Sequence, residues 1–163
     1  MQKAKPHQDK WQNAVFFLVA LLIVAVDQLS KLWIRNLLPE GHSLPVTAFF
    51  KLSHVHNTGG VFGLFQGQSL PLTIVAFIGV AVLLVYALFI YRRFPFSNGM
   101  LAKSALGLVL GGTIGNLIDR LSLGYVVDFI DFGFWPAFNV ADSAVVIGVI
   151  LFAYSIRYLV ARD

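Results

Sequence analysis

Residues 11–38 read WQNAVFFLVALLIVAVDQLSKLWIRNLL, and the reading of this stretch decides the fold. The apolar run from Ala14 to Val26, preceded by Lys3, Lys5 and Lys10, has the charge and hydrophobicity profile of a secretory leader. No small-residue cleavage pattern follows it. Asp27, Gln28, Leu29, Ser30 and Lys31 lead instead into apolar helix formers up to Leu38, which predicts an uncleaved membrane anchor over roughly residues 12–37. Asp27, Lys31 and Arg35 recur every fourth residue on one face of that helix.

The rest of the chain agrees with a membrane location. Of 163 residues, 58% are hydrophobic and 12% charged, against roughly 45–50% and about 25% in soluble domains. The mean hydropathy of +0.77 excludes both a soluble globular domain and intrinsic disorder. Four crossings at about 20 residues each would use about half the chain, and three further spans follow the first, near 70–91, 104–121 and 140–160. The expected architecture is thus an all-α membrane protein, one domain over residues 1–163. In the third span Gly107, Gly111 and Gly115 stand four apart, a face fitted for close helix packing. With no cysteine, neither a disulfide nor a thiolate nucleophile is available.

Four spans place both termini and the loop after Arg92 on one side, together with Lys3, Lys5, Lys10, Arg92, Arg93, Lys103, Arg157 and Arg162. By the positive-inside rule this side is cytoplasmic. The net charge of +4 therefore reflects topology rather than nucleic-acid binding. Asp27, Glu40, Asp119, Asp128, Asp131 and Asp142 gather on the opposite, outer side. There, residues 39–69 are too polar to span. Val46, Ala48, Phe50 and Leu52 alternate with Thr47, Lys51 and Ser53, which predicts a strand within a small outer β element. Asn57-Thr58-Gly59-Gly60 reads as a turn, and Val61 to Phe65 suits dipping into lipid.

Ionisable residues at membrane depth are costly and therefore candidates for function. Asn116, Asp119 and Arg120 end the third span, Asp128 sits among Val126, Val127, Phe129 and Ile130, and Asn139 and Asp142 open the fourth span. Two carboxylates in one site can hydrolyse an amide if one is ionised and takes a proton from water while the other, protonated, polarises the carbonyl. Asp142, at a helix start, is favoured as the anion by the helix dipole; Asp128, among apolar neighbours, is pushed toward its neutral form. Simpler readings stand beside this one. Asn139 and Asp142 have capping spacing, Asp131 competes with Asp128, Asp119-Arg120 reads as an ion pair, and Asp27–Lys31 reads as an intrahelical pair snorkelling to the surface. His54 and His56 share one side of a strand but lack a third ligand nearby, so no metal is expected. Serine–lysine chemistry fails because Ser30-Lys31 and Lys103-Ser104 are adjacent and diverge on a helix. A small transporter or proton relay is the main rival, and it requires polar residues near the membrane midplane rather than at one end.

Five ordered motifs carry a resemblance: Val26-Asp27-Gln28 with Lys31; Asn57-Thr58-Gly59 with Phe62-Gly63; Gly115-Asn116-Leu117-Ile118-Asp119-Arg120; Gly124 with Val126-Val127-Asp128-Phe129; and Phe138-Asn139-Val140-Ala141-Asp142-Ser143. Over nearly the whole chain they resemble the bacterial lipoprotein signal peptidases, signal peptidase II. The resemblance implies a metal-independent, cofactor-free aspartyl endopeptidase of the bacterial inner membrane. Its substrate would be a diacylglyceryl-modified prolipoprotein, cut immediately before the lipidated cysteine. It also implies a catalytic dyad of Asp128 and Asp142. Asp27, Lys31, Asn57, Asn116, Asp119, Arg120 and Asn139 would order the site or hold substrate, and the outer β segment would form a periplasmic cradle. A monomer working with membrane lipid is expected, and His54 and His56 acquire no role.

Overall fold

A computed structural model of the chain describes residues 6–59, 67, 69–87 and 99–160. In chain order these form α1 (Pro6–Leu37), β1 (Ser43–Pro45), β2 (Lys51–Asn57), α2 (Ser69–Val85), α3 (Met100–Leu123), β3 (Val126–Asp131) and α4 (Val140–Val160). Among the described residues, three helical stretches are long and apolar enough to cross a membrane: Asn13–Leu37, Met100–Leu123 and Val140–Arg157. The 17 residues of α2 extend only about 25 Å, short of the roughly 30 Å hydrocarbon core. The end of the expected second span, 88–91, lies outside the described residues, as does the expected lipid-dipping segment from Val61 to Phe65.

The helices turn apolar side chains outward. Leu18, Leu21, Leu22 and Leu29 of α1, Ile74, Val75 and Phe77 of α2, and Val146 and Ile150 of α4 are all at least half exposed. Such a surface is unfavourable in water and suits hydrocarbon; the chain is an integral membrane protein. Because lipid competes equally for apolar groups, helix association must come from close packing. α3 provides it in two directions. A Cβ on Gly107 would come within 2.7 Å of the Phe16 carbonyl of α1, and one on Gly111 within 2.6 Å of the Ala20 carbonyl. On another side, Gly112 abuts Ala141 and Val145 of α4, and Gly148 of α4 abuts the Ala105 backbone. The expected packing face of Gly107, Gly111 and Gly115 is thus the one that meets α1, and α3 runs between α1 and α4. Phe16 and Ala20 of α1 and Leu106 and Leu110 of α3 are buried together with Ala87, just past α2.

Gly124, at φ 82°, donates its N–H to the Arg120 carbonyl and ends α3. This left-handed geometry favours glycine and turns the chain into β3. The sheet is antiparallel, in the order β1-β2-β3. Its strands differ from the expectation. Residues 46–50 form a turn closed by Val46 and Thr47 donating to the Phe50 carbonyl, while the strand begins at Lys51. The alternation of Val46, Ala48 and Phe50 was imitated by a turn, and Val46 and Phe49 remain exposed. The third strand comes from a distant segment, pairing Val55 with Asp128, His56 with Val127 and Asn57 with Val126, beyond an irregularity between Leu52 and Val55. Ile34, Val127 and Phe129 form a second buried cluster where the end of α1 meets β3.

Candidate active site

At the sheet end of the helices, side chains from all of α1, α3, α4, β2 and β3 converge. α1 contributes a buried ion pair. Lys31 Nζ lies 2.7 Å from Asp27 Oδ2 and 2.9 Å from Asp119 Oδ2, and it donates to Asn116 Oδ1 at 2.9 Å. The three ammonium hydrogens therefore meet three acceptors. Asp27 is fully buried and Lys31 almost so, which corrects the expectation of a pair snorkelling to the surface. Both residues turn inward because α3 supplies Asp119 and Asn116 opposite them. Arg35, one turn further on, is exposed and stays outside the cluster.

Asp119 is held twice more, by Gln28 Nε2 at 3.0 Å and the Val127 N–H at 3.1 Å. Its partner is Lys31, correcting the expected Asp119–Arg120 ion pair; consecutive helix residues point about 100° apart. Arg120 instead reaches the Gly59 carbonyl at 3.4 Å and that of Asn116 at 3.5 Å. Gln28 is a site residue that the search for ionisable groups does not single out in the sequence, although it stands in the motif around Asp27. Its amide nitrogen lies within hydrogen-bond reach of Asp27, Asp119 and the Gly115 carbonyl. Gly115 is required here as well, since a Cβ would come 2.5 Å from Asp27 Oδ2.

The start of α4 is built by three polar residues. Asn139 Oδ1 accepts the Asp142 N–H at 2.9 Å, and Asp142 Oδ2 accepts the Asn139 N–H at 3.2 Å. This is a reciprocal capping box. Asp27, more than a hundred residues away in sequence, accepts the Ala141 N–H at 2.9 Å and satisfies another otherwise unpaired donor of that helix end. Capping leaves Asp142 an oxygen free for more: Oδ1 takes the Asn116 amide at 2.7 Å.

Asn139 also joins the two candidate catalytic carboxylates. Its Nδ2 donates to Asp128 Oδ1 at 2.7 Å while its backbone N–H holds Asp142. Phe138 makes this juxtaposition by pairing with Ile130 of β3, which lays the residue before α4 along the strand. Asp128 Oδ2 accepts Asn57 Nδ2 at 2.8 Å, and the Asx turn formed by Asn57 Oδ1 and the Gly59 N–H orients that amide. Asp128 is 2% exposed. Burial, and next the negative charge of Asp142, push its carboxyl up to about 7, against the lowering effect of the amides of Asn57 and Asn139 and the charge of Lys31. A carboxyl near 7 beside a second carboxyl group is the arrangement that acid–base hydrolysis needs.

Asp131 is placed apart from these groups. Its Oδ2 takes the Ser53 hydroxyl at 2.7 Å and Lys51 Nζ at 3.2 Å, and its Oδ1 takes the Gly133 N–H. Burial alone would raise its pKa, but Ser53, Gly133 and Lys51 together hold it below the usual value. His54 and His56 lie side by side on β2, their ring nitrogens meeting Leu38, Glu40 and each other rather than Asp128 or Asp142.

A family model described as Signal peptidase (SPase) II matches residues 19–158 of this sequence. The chain belongs to the signal peptidase II family. Among similar proteins, the lipoprotein signal peptidase of Moorella thermoacetica is 48% identical over 143 residues, covering 86% of this chain and 91% of that protein. One from Dehalococcoides mccartyi strain BAV1 is 44% identical over 154 residues, covering 93% and 96%. A solved bacterial membrane enzyme, determined in meso at 2.3 Å, superposes with a TM-score of 0.80 at 29% identity over 92% of both chains. A second, at 1.9 Å, gives 0.74 at 31% identity, covering 87% of this chain and 92% of that one. Signal peptidase II enzymes are proteases, and the motif resemblance drawn from the sequence is borne out at the level of family and enzyme class.

Proposed function

We propose that this signal peptidase II removes the signal peptide from diacylglyceryl-modified prolipoproteins, cutting immediately before the lipidated cysteine, with Asp128 and Asp142 as its catalytic dyad. The supporting observation is that one residue, Asn139, binds both carboxylates, through its amide and its backbone N–H. Ionised Asp142 takes a proton from the attacking water as its oxygen adds to the scissile carbonyl carbon. Asp128 donates its proton toward the carbonyl oxygen, and collapse of the adduct passes a proton from the dyad to the leaving amine. Asn116 and Asn139 orient the carboxylates, Asn57 steadies Asp128, and Asp27, Lys31 and Asp119 fix the helices that carry them. Arg120, whose neighbours include the charges of Asp142 and Asp128, is assigned to substrate backbone.

The reading includes four crossings by a monomer forming one domain in the bacterial inner membrane. Both termini are cytoplasmic, and the sheet is a cradle at the periplasmic surface. Substrate arrives laterally, its acyl chains remaining in lipid at about 0.8 kcal/mol per buried CH₂. Neither metal, cofactor nor nucleic acid has a part in the reaction. The grouping of polar side chains at one end of the helices favours this reading over a transport pathway.

The test is cleavage of lipidated and unlipidated precursor by purified protein in the presence of EDTA. Asp128→Asn and Asp142→Asn should each lose about 10²–10⁴-fold in rate while inserting normally, and Asp131→Asn should keep substantial activity. Near wild-type turnover by either dyad variant refutes the assignment.

A further inference from the structure

We propose that His54 and His56 form a two-histidine chelate for a late first-row transition cation, separate from the carboxylate cluster. The two residues alternate along β2, and their Nε2 atoms stand 3.2 Å apart. The ring centres are farther apart, at 4.9 Å, so the rings converge on their Nε2 sides. Two nitrogen ligands at about 2.0–2.1 Å around a tetrahedral zinc ion stand roughly 3.3–3.4 Å from each other. The gap between these imidazoles therefore already has the span of a metal chelate.

The opposite ring nitrogens are occupied in the way that metal-binding histidines require. His54 Nδ1 lies 2.8 Å from the Leu38 carbonyl, which can only accept, and this fixes the proton on Nδ1. His56 Nδ1 lies 2.8 Å from Glu40 Oε1, a carboxylate that selects the same tautomer. With both Nδ1 atoms protonated, the Nε2 atoms either share one further proton as a hydrogen bond or, when both rings are neutral, each present a lone pair to a ligand, and a carbonyl and a carboxylate supply the outer shell typical of metal-binding histidines. Packing holds the orientation: His54 is 6% exposed, and His56 stacks on Tyr125 with centroids 3.7 Å apart. The two Nε2 lone pairs face each other, an arrangement relieved either by a cation or by one shared proton.

Among the described residues no third histidine, cysteine or carboxylate completes a set. Water would fill the other positions, giving an open, exchangeable site. Imidazole ligands suit Zn²⁺, Ni²⁺ and Cu²⁺, with Cu²⁺ bound most tightly. Cation binding would tie β2 to the segment after α1 through Leu38 and Glu40, one residue before Asn57.

The experiment uses the full chain without an affinity tag, in detergent micelles, with His7 and His42 replaced by Gln to remove other imidazoles. Cu²⁺ titration followed by electron paramagnetic resonance should show one ion per chain with superhyperfine splitting from two nitrogens, displaced by excess Zn²⁺. His54→Ala and His56→Ala should each weaken binding at least tenfold and remove one nitrogen from the spectrum. Glu40→Gln, which keeps a hydrogen-bond acceptor for His56, should bind more weakly yet retain both nitrogens. Thermal unfolding of each variant distinguishes loss of a ligand from loss of fold. Copper binding no tighter in the parent than in a folded His54→Ala/His56→Ala double variant overturns the proposal and leaves a proton shared between the rings.

Discussion

Asp128 and Asp131 stand three positions apart on β3, so the pleat sends their side chains to opposite faces. One meets Asn57 and Asn139, the other Ser53 and Lys51. The spacing reveals this divergence in the sequence but gives no sign of which face holds the partner, because the partners come from β2 and from the residue before α4. The raised pKa of Asp128 has a direct kinetic consequence. On the proposed assignment, the pair of Asp128 and Asp142 is competent while Asp128 keeps its proton and fails as pH rises through about 7. We expect kcat/KM on a lipidated precursor to fall about tenfold per pH unit on the alkaline side, from a limb near 7. A profile flat to pH 9 in fixed detergent would contradict a protonated Asp128. Stability carries the same sign: the folded-state value lies above the ordinary 3.8, so the contribution is present at low pH and is lost as pH rises through about 7.

Helix α3 shows how a sequence pattern becomes a site. Its glycines every fourth residue are legible as a packing face, and the structure uses them against α1 at the Phe16 and Ala20 carbonyls. What spacing could not disclose is that the last of them, Gly115, makes room for a charged side chain rather than for backbone. Asp27 Oδ2 cannot retreat, being fixed by Lys31 and Gln28 while Oδ1 caps α4. Gly115→Ala should therefore cost about 1–3 kcal/mol, as overpacking does, and lower both thermal stability in detergent and cleavage rate. Gly79→Ala is the contrasting case. A Cβ there meets nothing within 4 Å, and the helix should gain about 0.5–1 kcal/mol. Equal tolerance of both substitutions would contradict the close approach at Gly115. Period-two patterning was less informative: residues 46–50 alternate as a strand would but form a turn, in which Val46 and Thr47 donate to the Phe50 carbonyl while β3 pairs only from Lys51 onward.

Over the whole molecule, composition alone indicates a membrane location, and the long apolar runs locate three helices of membrane-crossing length close to their observed limits. The sheet was only half legible, since pairing β2 with β3 depends on a contact across more than seventy residues and leaves no local trace. Burial of Lys31 was similarly hidden, because its acceptors Asp119 and Asn116 belong to another helix. Orientation in the bilayer is open to measurement because the chain has no cysteine. Single cysteines at Phe49 and Phe134, which are 68% and 82% exposed beside the sheet, should react with a membrane-impermeant maleimide added to the outside of spheroplasts. Cysteine at Met100, at the start of α3 and 61% exposed, should react only after lysis; labelling of intact cells there would invert the topology. The meeting of Asp27 with Ala141 at the base of α4 has a consequence for biosynthesis. Synthesis must pass Ala141 before the first helix can meet α4. The nascent enzyme thus passes through the insertion machinery without a working centre, safe among the unfinished membrane proteins beside it.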